Sequence, residues 1–208
     1  MKLDYTGIIL AGGTNKRLPG KKKIFHKING VSMLERLCEI FNNVFKETIL
    51  VVKDPEEFSS FNMTIVTDII PLQCSLAGIH TGLFYSSFPY SFISACDMPF
   101  LEERTIRYII SNAKHEYQVV IPATKDGLEP LAAVYSKKCL LLIEEKLKKN
   151  IFRIQKSFKK DKMKIIPVKE FEKLDLNMNF AFNINTRQDL ELAKKIKANY
   201  NILRSTNG

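Results

Sequence analysis

The sequence predicts an α/β fold: an open, mostly parallel sheet with helices on both faces, in three α/β/α layers. Three observations carry this. Short β-rich runs alternate with stretches whose apolar residues recur at helical spacing. The first run, Tyr5 to Leu10, is apolar on both faces, as a central parallel strand is. Glycines, lysines and aspartates fall just after the strands, where open parallel sheets bind their ligands.

The elements follow in order. Ala11 to about Lys23 reads as a loop of Gly, Lys and Pro. Met33, Leu34, Leu37, Ile40 and Phe41 keep helical spacing behind Ser32, a residue type that caps helix N-termini. Thr48 to Val52 and Met63 to Thr67 are the second and third strands. Leu76 to Phe84 is a helix, and Ser91 to Ala95 is the fourth strand. Ile106, Ile109, Ile110 and Ala113 mark the next helix, and Gln118 to Pro122 the fifth strand. Asp126-Gly127 is a turn, and Leu131 to Tyr135 is a further strand. Cys139 to Lys148 is a helix, Lys164 to Val168 a short strand, and Thr186 to Tyr200 the closing helix. Thr186 and Asp189 have the spacing of a capping box. Neither a repeat nor an interdomain linker interrupts the chain, so 1–208 reads as one domain.

Composition removes several classes of function. Apolar residues make up 45 % and charged residues 26 %, which excludes a disordered chain. No run approaches the ~18 apolar residues of a membrane span. Gly7 to Ala11 is too short for a signal-peptide core, and Asp4 sits where positive charge is expected. Cys38, Cys74, Cys96 and Cys139 are far apart with no C-x-x-C pair, which fits reduced thiols in a cytoplasm. The net charge of +10 favours an anionic partner. No nucleic-acid-binding signature accompanies it, so nucleic acid is not the expected partner.

Three strand ends carry the chemistry. Leu10-Ala11-Gly12-Gly13 leaves the first strand, followed by Lys16, Arg17, Lys21, Lys22 and Lys23. Adjacent glycines let backbone N–H groups approach a phosphate or a base, and the cations suit a polyphosphate. A plain tight turn accounts for Gly-Gly equally well, and the spacing is neither a Walker A loop nor G-x-G-x-x-G. Asp97 follows the fourth strand, where a carboxylate can hold Mg²⁺ beside substrate phosphates. Taken alone, a turn aspartate is the commoner explanation. Asp68 ends the third strand in the same way. Together these residues suit a nucleoside triphosphate with a metal.

The same residues carry a family likeness. The chain resembles the molybdenum cofactor guanylyltransferases, the MobA-like branch of the nucleotidyltransferases. The opening Leu10-Ala11-Gly12-Gly13, Arg17-Leu18, Gly20 and Lys23 is one part of it. Asp68 with Leu76-Ala77-Gly78-Ile79, then Cys96-Asp97-Met98-Pro99, then Glu129-Pro130-Leu131-Ala132-Ala133-Val134-Tyr135 continue it. Asn183-Ile184-Asn185-Thr186 closes it, with Asp189. The order spans nearly the whole chain. There are three departures: Lys22 stands where the family usually has Asp, Cys74-Ser75 replaces Gly-Pro, and Arg187 replaces Pro.

The resemblance implies a Rossmann-like nucleotidyltransferase fold, with a nucleotide-binding part over about 1–122 and an acceptor-binding part over about 123–208. It implies transfer of GMP from GTP to the terminal phosphate of molybdopterin, metallated or not, with Mg²⁺ as cofactor. Lys23, Arg17 and Asp97 would be catalytic, with Asp97 the metal ligand. Leu10, Ala11, Gly12, Gly13, Lys23, Asp68 and Asp97 would bind the nucleotide. Asn183, Asn185 and Arg153 would face the acceptor. Proteins that deliver molybdopterin or mature molybdoenzymes are the implied partners. Two other functions stay open at this point. A related cytidylyltransferase acting on molybdopterin or on a sugar or polyol phosphate would prefer CTP in competition. A non-catalytic molybdopterin- or nucleotide-binding module would lack a metal carboxylate or a loop lysine, and Asp97 and Lys23 are both present.

Overall fold

A computed structural model describes residues 1–12, 27–28, 30–154, 157–174, 176 and 178–205, with side chains as far as residue 196 apart from 178. At its centre is β1 (Leu3–Leu10), paired in parallel with β4 (Phe45–Val52) on one side and with β6 (Tyr90–Ala95) on the other. The apolar run therefore has helices above and below it, and Ile8 and Ile9 are both fully buried. β5 (Thr64–Thr67) adds in parallel beyond β4. Beyond β6 comes β9 (Ala132–Ser136), antiparallel, then β7 (Val119–Thr124), then β10 (Met163–Ile166) parallel to β7. The sheet order is β10-β7-β9-β6-β1-β4-β5, and the short β8 (Gly127–Leu128) folds back on β7. A separate hairpin joins β2 (Lys27–Ile28) to β3 (Val31–Ser32).

Helices cover both faces, as the alternating pattern predicts. On one face lie α1 (Met33–Val44), α3 (Glu103–Ser111) and α5 (Val168–Lys173). Their Leu37, Phe41, Ile106, Ile109 and Phe171 pack with Ile9, Leu50 and Phe92 of the sheet. On the other face lie α2 (Ser75–Tyr85) and α4 (Leu140–Lys148), whose Leu76, Ile79, Leu83 and Ile143 cover Ile8, Ile49 and Ile93. His80 of α2 is buried and its Nε2 lies 2.9 Å from Glu144 of α4, tying these helices together. The closing helix α6 (Arg187–Ser205) is seated by a third cluster, in which Ile184, Leu190 and Ala193 meet Ile28, Met33 and Phe100.

Local chemistry explains the boundaries. Ser32 accepts the Glu35 N–H at 3.1 Å, and Glu35 accepts the Ser32 N–H at 2.9 Å, so both ends of a capping box are made. Asp189 and Thr186 repeat the device at α6, at 3.1 and 2.7 Å. Gly82 lets α2 lie directly on β1: a Cβ there would sit 2.5 Å from Ile8 Cγ2.

Some elements differ from the expectation. Val168 opens α5 rather than ending a strand, because Pro167 cannot donate to a sheet and closes β10 at Ile166. β4 begins at Phe45, with no loop after α1, since Phe45 is both the extended C-cap of the helix and the first strand residue. The β2–β3 hairpin was not anticipated, although Asn29-Gly30 is a hairpin dipeptide and Gly30 has φ of 85°.

Candidate active site

The candidate residues that the structure describes, apart from Asn185 and Arg153, gather at the carboxyl edge of the parallel strands. Leu10 ends β1, and the chain past it stays fastened to both neighbours. The Ala11 N–H donates to the Val51 carbonyl at 2.8 Å, and the Cys96 N–H donates to the Leu10 carbonyl at 3.1 Å. Gly12 is exposed at the rim, and among the described residues a Cβ there would meet the Lys53 nitrogen, at 4.0 Å. Gly13, Arg17 and Lys23, with the neighbouring cations, lie outside the described residues.

On the β5 side of β1 stands Asp68, exposed at the strand end. Its carboxyl is pushed above the usual carboxylate value by desolvation, while a hydrogen bond from Thr81 acts the other way. Thr81 is fully buried in α2, and its Oγ1 also accepts the Ile69 N–H at 3.0 Å. Gly78, one turn earlier, faces the gap between Leu10 and Asp68. A Cβ there would lie 3.2 Å from Leu10 Cδ2 and 3.8 Å from Asp68 Oδ1.

On the β6 side stands Asp97, half-buried, with its Oδ1 atom inside the protein. Its carbonyl accepts the Ile184 N–H at 3.1 Å, which draws the Asn183–Asn185 segment to the end of β6. Glu129 enters from the connection between β8 and β9. Its N–H donates to the Pro122 carbonyl at 2.9 Å, and its Oε1 accepts the Leu131 N–H at 3.1 Å. Burial raises the Glu129 carboxyl above its ordinary value and the nearby Asp97 charge pushes the same way. Hydrogen bonds from the Leu131 backbone and the Asn183 side chain oppose them. Asp97, Glu129 and Asn183 thus form one group.

The remaining acceptor-side candidates separate. The Asn185 N–H is held by Asp189 Oδ2 at 2.8 Å, as part of the α6 cap, and the residue is exposed. Arg153 lies in the loop after α4, exposed, with its carbonyl accepting the Ser157 hydroxyl at 3.1 Å. Two residues join the site that sequence reasoning missed. Glu129 stands inside a motif used only as a family marker, so its signal was present. Thr81 gave none, because a threonine inside an apolar helix looks like any other.

The donor set decides what this edge can hold. Asp97 and Glu129 offer hard oxygen ligands, the donor type that suits Mg²⁺ shared with substrate phosphates.

An open, mostly parallel α/β sheet with glycine backbone, carboxylates and an amide at its carboxyl edge is a frame that can hold a nucleotide and a metal. The MobA-like NTP transferase domain family matches residues 7–161, and the chain belongs to it. It is 37 % identical over 189 residues to the molybdenum cofactor guanylyltransferase of Desulfosudis oleivorans, covering 91 % of this chain and 94 % of that one. The crystal structure of molybdopterin-guanine dinucleotide biosynthesis protein A from Archaeoglobus fulgidus superposes with a TM-score of 0.81 at 26 % identity, covering 93 % and 99 %. The 4-diphosphocytidyl-2C-methyl-D-erythritol synthase of Anaerococcus prevotii shares the fold alone, with a TM-score of 0.66 at 18 % identity over 93 % and 96 %. The protein is a nucleotidyltransferase. No described helix is long and apolar enough to cross a membrane.

Proposed function

We propose that the protein transfers GMP from GTP to the terminal phosphate of molybdopterin, giving molybdopterin guanine dinucleotide and pyrophosphate. The observation that carries this reading is the likeness, at 37 % identity over 91 % of this chain, to a protein named molybdenum cofactor guanylyltransferase. The clustering of Asp97, Glu129 and Asn183 at the strand ends supports it.

The chemistry asks little of a protein base. The acceptor is a phosphomonoester with a second pKa near ~6, so its oxygen is largely ionised at pH 7. That oxygen attacks the α-phosphorus of GTP as the bond to the β-phosphate breaks and pyrophosphate leaves. Two anions must meet, so positioning and charge neutralisation dominate. In this reading Leu10, Ala11 and Gly12 hold the nucleotide through their backbone, and Asp68 lines its pocket. Lys23 and Arg17 neutralise the departing pyrophosphate, and Asn183 and Asn185 face the acceptor. Asp97, with Glu129 beside it, would hold Mg²⁺, which would supply positive charge to offset that of the phosphates. Residues 1–122 carry the nucleotide and 123–208 the acceptor. Four free cysteines fit a cytoplasmic setting.

The test is guanylyl transfer itself, with α-labelled GTP, molybdopterin and Mg²⁺, alongside thermal shifts with GTP, CTP, ATP and UTP. A ligand that binds only the folded state raises the melting temperature. GTP with Mg²⁺ should give the largest shift and labelled dinucleotide should form. A larger shift and faster transfer with CTP would replace the guanylyl reading by a cytidylyl one.

A further inference from the structure

We infer that Tyr135 is a positioning residue for Glu129: through the single peptide unit between Pro130 and Leu131 it fixes how the Glu129 carboxylate is presented beside Asp97. The inference rests on the reading of Glu129 as a cation-side residue. Tyr135 lies on β9, fully buried among Ile121, Cys139, Ile143 and Phe158, and its ring stands 5.8 Å from that of Phe158. Its hydroxyl donates to the Pro130 carbonyl at 2.8 Å, five residues back along the chain. β9 is antiparallel to β6, so its first residues lie at the carboxyl edge and the side chain reaches back toward that edge. The body of the ring is thus held by the core, and its one polar atom meets the turn that enters the strand. Burial raises the phenol well above its ordinary value, so the hydroxyl keeps its proton in neutral and mildly alkaline solution.

The bonded carbonyl is half of a rigid unit. A trans peptide is planar, and its C=O and N–H point in opposite directions. The Pro130 C=O shares its plane with the Leu131 N–H, and that N–H donates to Glu129 Oε1 at 3.1 Å. Tyr135 therefore grips one end of the plane, and the other end grips the carboxylate. Proline fixes its own φ, so the freedom left to the plane at Pro130 is ψ, and the hydroxyl bond fixes that. Backbone bonds hold the turn in place around it. The Glu129 N–H donates to the Pro122 carbonyl at 2.9 Å, and the Ala95 N–H donates to the Leu131 carbonyl at 3.1 Å. Ala95 ends β6, just before Cys96-Asp97. The main chain thus sets the turn next to Asp97, and the tyrosine orients the peptide within it. Phenylalanine would supply the same ring packing; the hydroxyl is what serves the turn.

The experiment compares wild type with Tyr135→Phe, Glu129→Ala, the Tyr135→Phe/Glu129→Ala double variant and Ser86→Ala. Ser86 Oγ donates to the Leu83 carbonyl, also buried and also at 2.8 Å, at the far end of α2, so its loss is a matched control for stability. Mn²⁺ binding is read without turnover by the spin resonance of the free ion, beside melting temperature and steady-state transfer. Tyr135→Phe should weaken Mn²⁺ binding about fivefold, the scale of one neutral hydrogen bond. It should lower kcat by a similar factor and leave the KM for GTP little changed. Ser86→Ala should lower the melting temperature comparably and bind Mn²⁺ as wild type does. The double variant should bind Mn²⁺ as Glu129→Ala does, since Tyr135 acts through Glu129. If Tyr135→Phe fails to fold, Tyr135→Met, flexible enough to fill the ring's place and equally without a hydroxyl, carries the same expectation. Wild-type Mn²⁺ binding in Tyr135→Phe, beside weakened binding in Glu129→Ala, overturns the inference and leaves the cation reading of Glu129 standing. So do losses that add in the double variant, and so does weakened binding in Ser86→Ala. Unaltered Mn²⁺ binding in Glu129→Ala overturns both.

Discussion

The backbone N–H of Ile184 donates to the carbonyl of Asp97 at 3.1 Å. This bond joins the segment before α6 to the end of β6 through main-chain atoms alone. The positions of Asn183 and Asp97, on either side of it, are therefore set by the main chain. Ile184 itself is fully buried against Phe100 and Met33, which keeps the segment in register.

Asp97→Asn should lower transfer by at least about a hundredfold, because a metal-assisted displacement loses several kcal/mol of charge stabilisation with its carboxylate. The melting temperature should move by only a few degrees, since the Ile184 bond uses the Asp97 backbone. Steady-state kinetics with calorimetric melting reads both. Near wild-type transfer would reduce Asp97 to a turn residue.

Gly82→Ala should destabilise the protein although alanine is the better helix former. The added Cβ would lie 2.5 Å from Ile8 Cγ2 and 2.9 Å from Ile8 Cδ1, inside the tightest contact of α2 with β1. Helix propensity returns about 1 kcal/mol, while overpacking a core costs about 1–3 kcal/mol and more when backbone must shift. Chemical denaturation should show a net loss; a stability gain would mean that α2 moves away from the sheet easily.

How much could be read from the sequence depends on how local each signal is. Ser32 with Glu35, and Thr186 with Asp189, are cap patterns three residues apart, and the structure makes both. β1 was legible because a strand buried on both faces is apolar throughout. β10 ends at Ile166, two residues before the expected Val168, whose side chain suits a strand while the proline before it forbids one. Asp68 and Asp97 announced themselves by following strands. Glu129 could not, because only the antiparallel entry of β9 brings it back to Asp97, and that pairing is set forty residues away along the chain by β6. Thr81 was hidden for the same reason: its partners, Asp68 and Ile69, sit across a helix–strand connection.

Alkali should unfold the protein earlier than its lysines alone would dictate. Burial raises the thiols of Cys38 and Cys139 to about 12, with the Glu35 charge adding to the effect at Cys38. In the unfolded chain both ionise near ~8.5. The unfolded state then binds fewer protons, so the stability these thiols confer is complete below that pH and is lost as pH rises toward 12. Melting temperatures between pH 8 and 10.5 should fall, and the Cys38→Ala/Cys139→Ala variant should show a shallower fall. Identical slopes would show that neither thiol titrates with unfolding.

The three adjacent lysines that follow the glycines in sequence offer a test of register. Alignment to the family opening selects Lys23, whereas a diffuse positive field selects none of Lys21, Lys22 and Lys23. A positioned contact to the triphosphate is worth roughly 1.5–3 kcal/mol, or about one to two decades in kcat/KM. Lys23→Ala should show that loss at both low and high salt, with Lys21→Ala and Lys22→Ala much milder. Three equal losses that salt erases would withdraw Lys23 from the catalytic group.

Glu129 should prove to be a link between the metal side and the acceptor side of the site. Its Oε1 accepts the Leu131 N–H at 3.1 Å, it is hydrogen-bonded by the Asn183 side chain, and it lies close enough to feel the Asp97 charge. Glu129→Gln keeps an acceptor oxygen for Leu131 and Asn183 but removes the charge. Glu129→Ala removes both. If the hydrogen bonds to Asn183 and Leu131 matter most, the KM for molybdopterin should rise about tenfold in the alanine variant and recover in the glutamine variant. If the charge matters most, both variants should weaken Mn²⁺ binding, read by the spin resonance of the free ion without turnover, and both should lose kcat. The burial of Glu129 and its closeness to a second carboxylate favour the charge: a half-buried pair of carboxylates is costly unless a cation sits with it. Equal, weaker Mn²⁺ binding in the two variants is therefore the expected result. Unaltered Mn²⁺ binding in Glu129→Gln would leave Glu129 as an anchor for Asn183 alone.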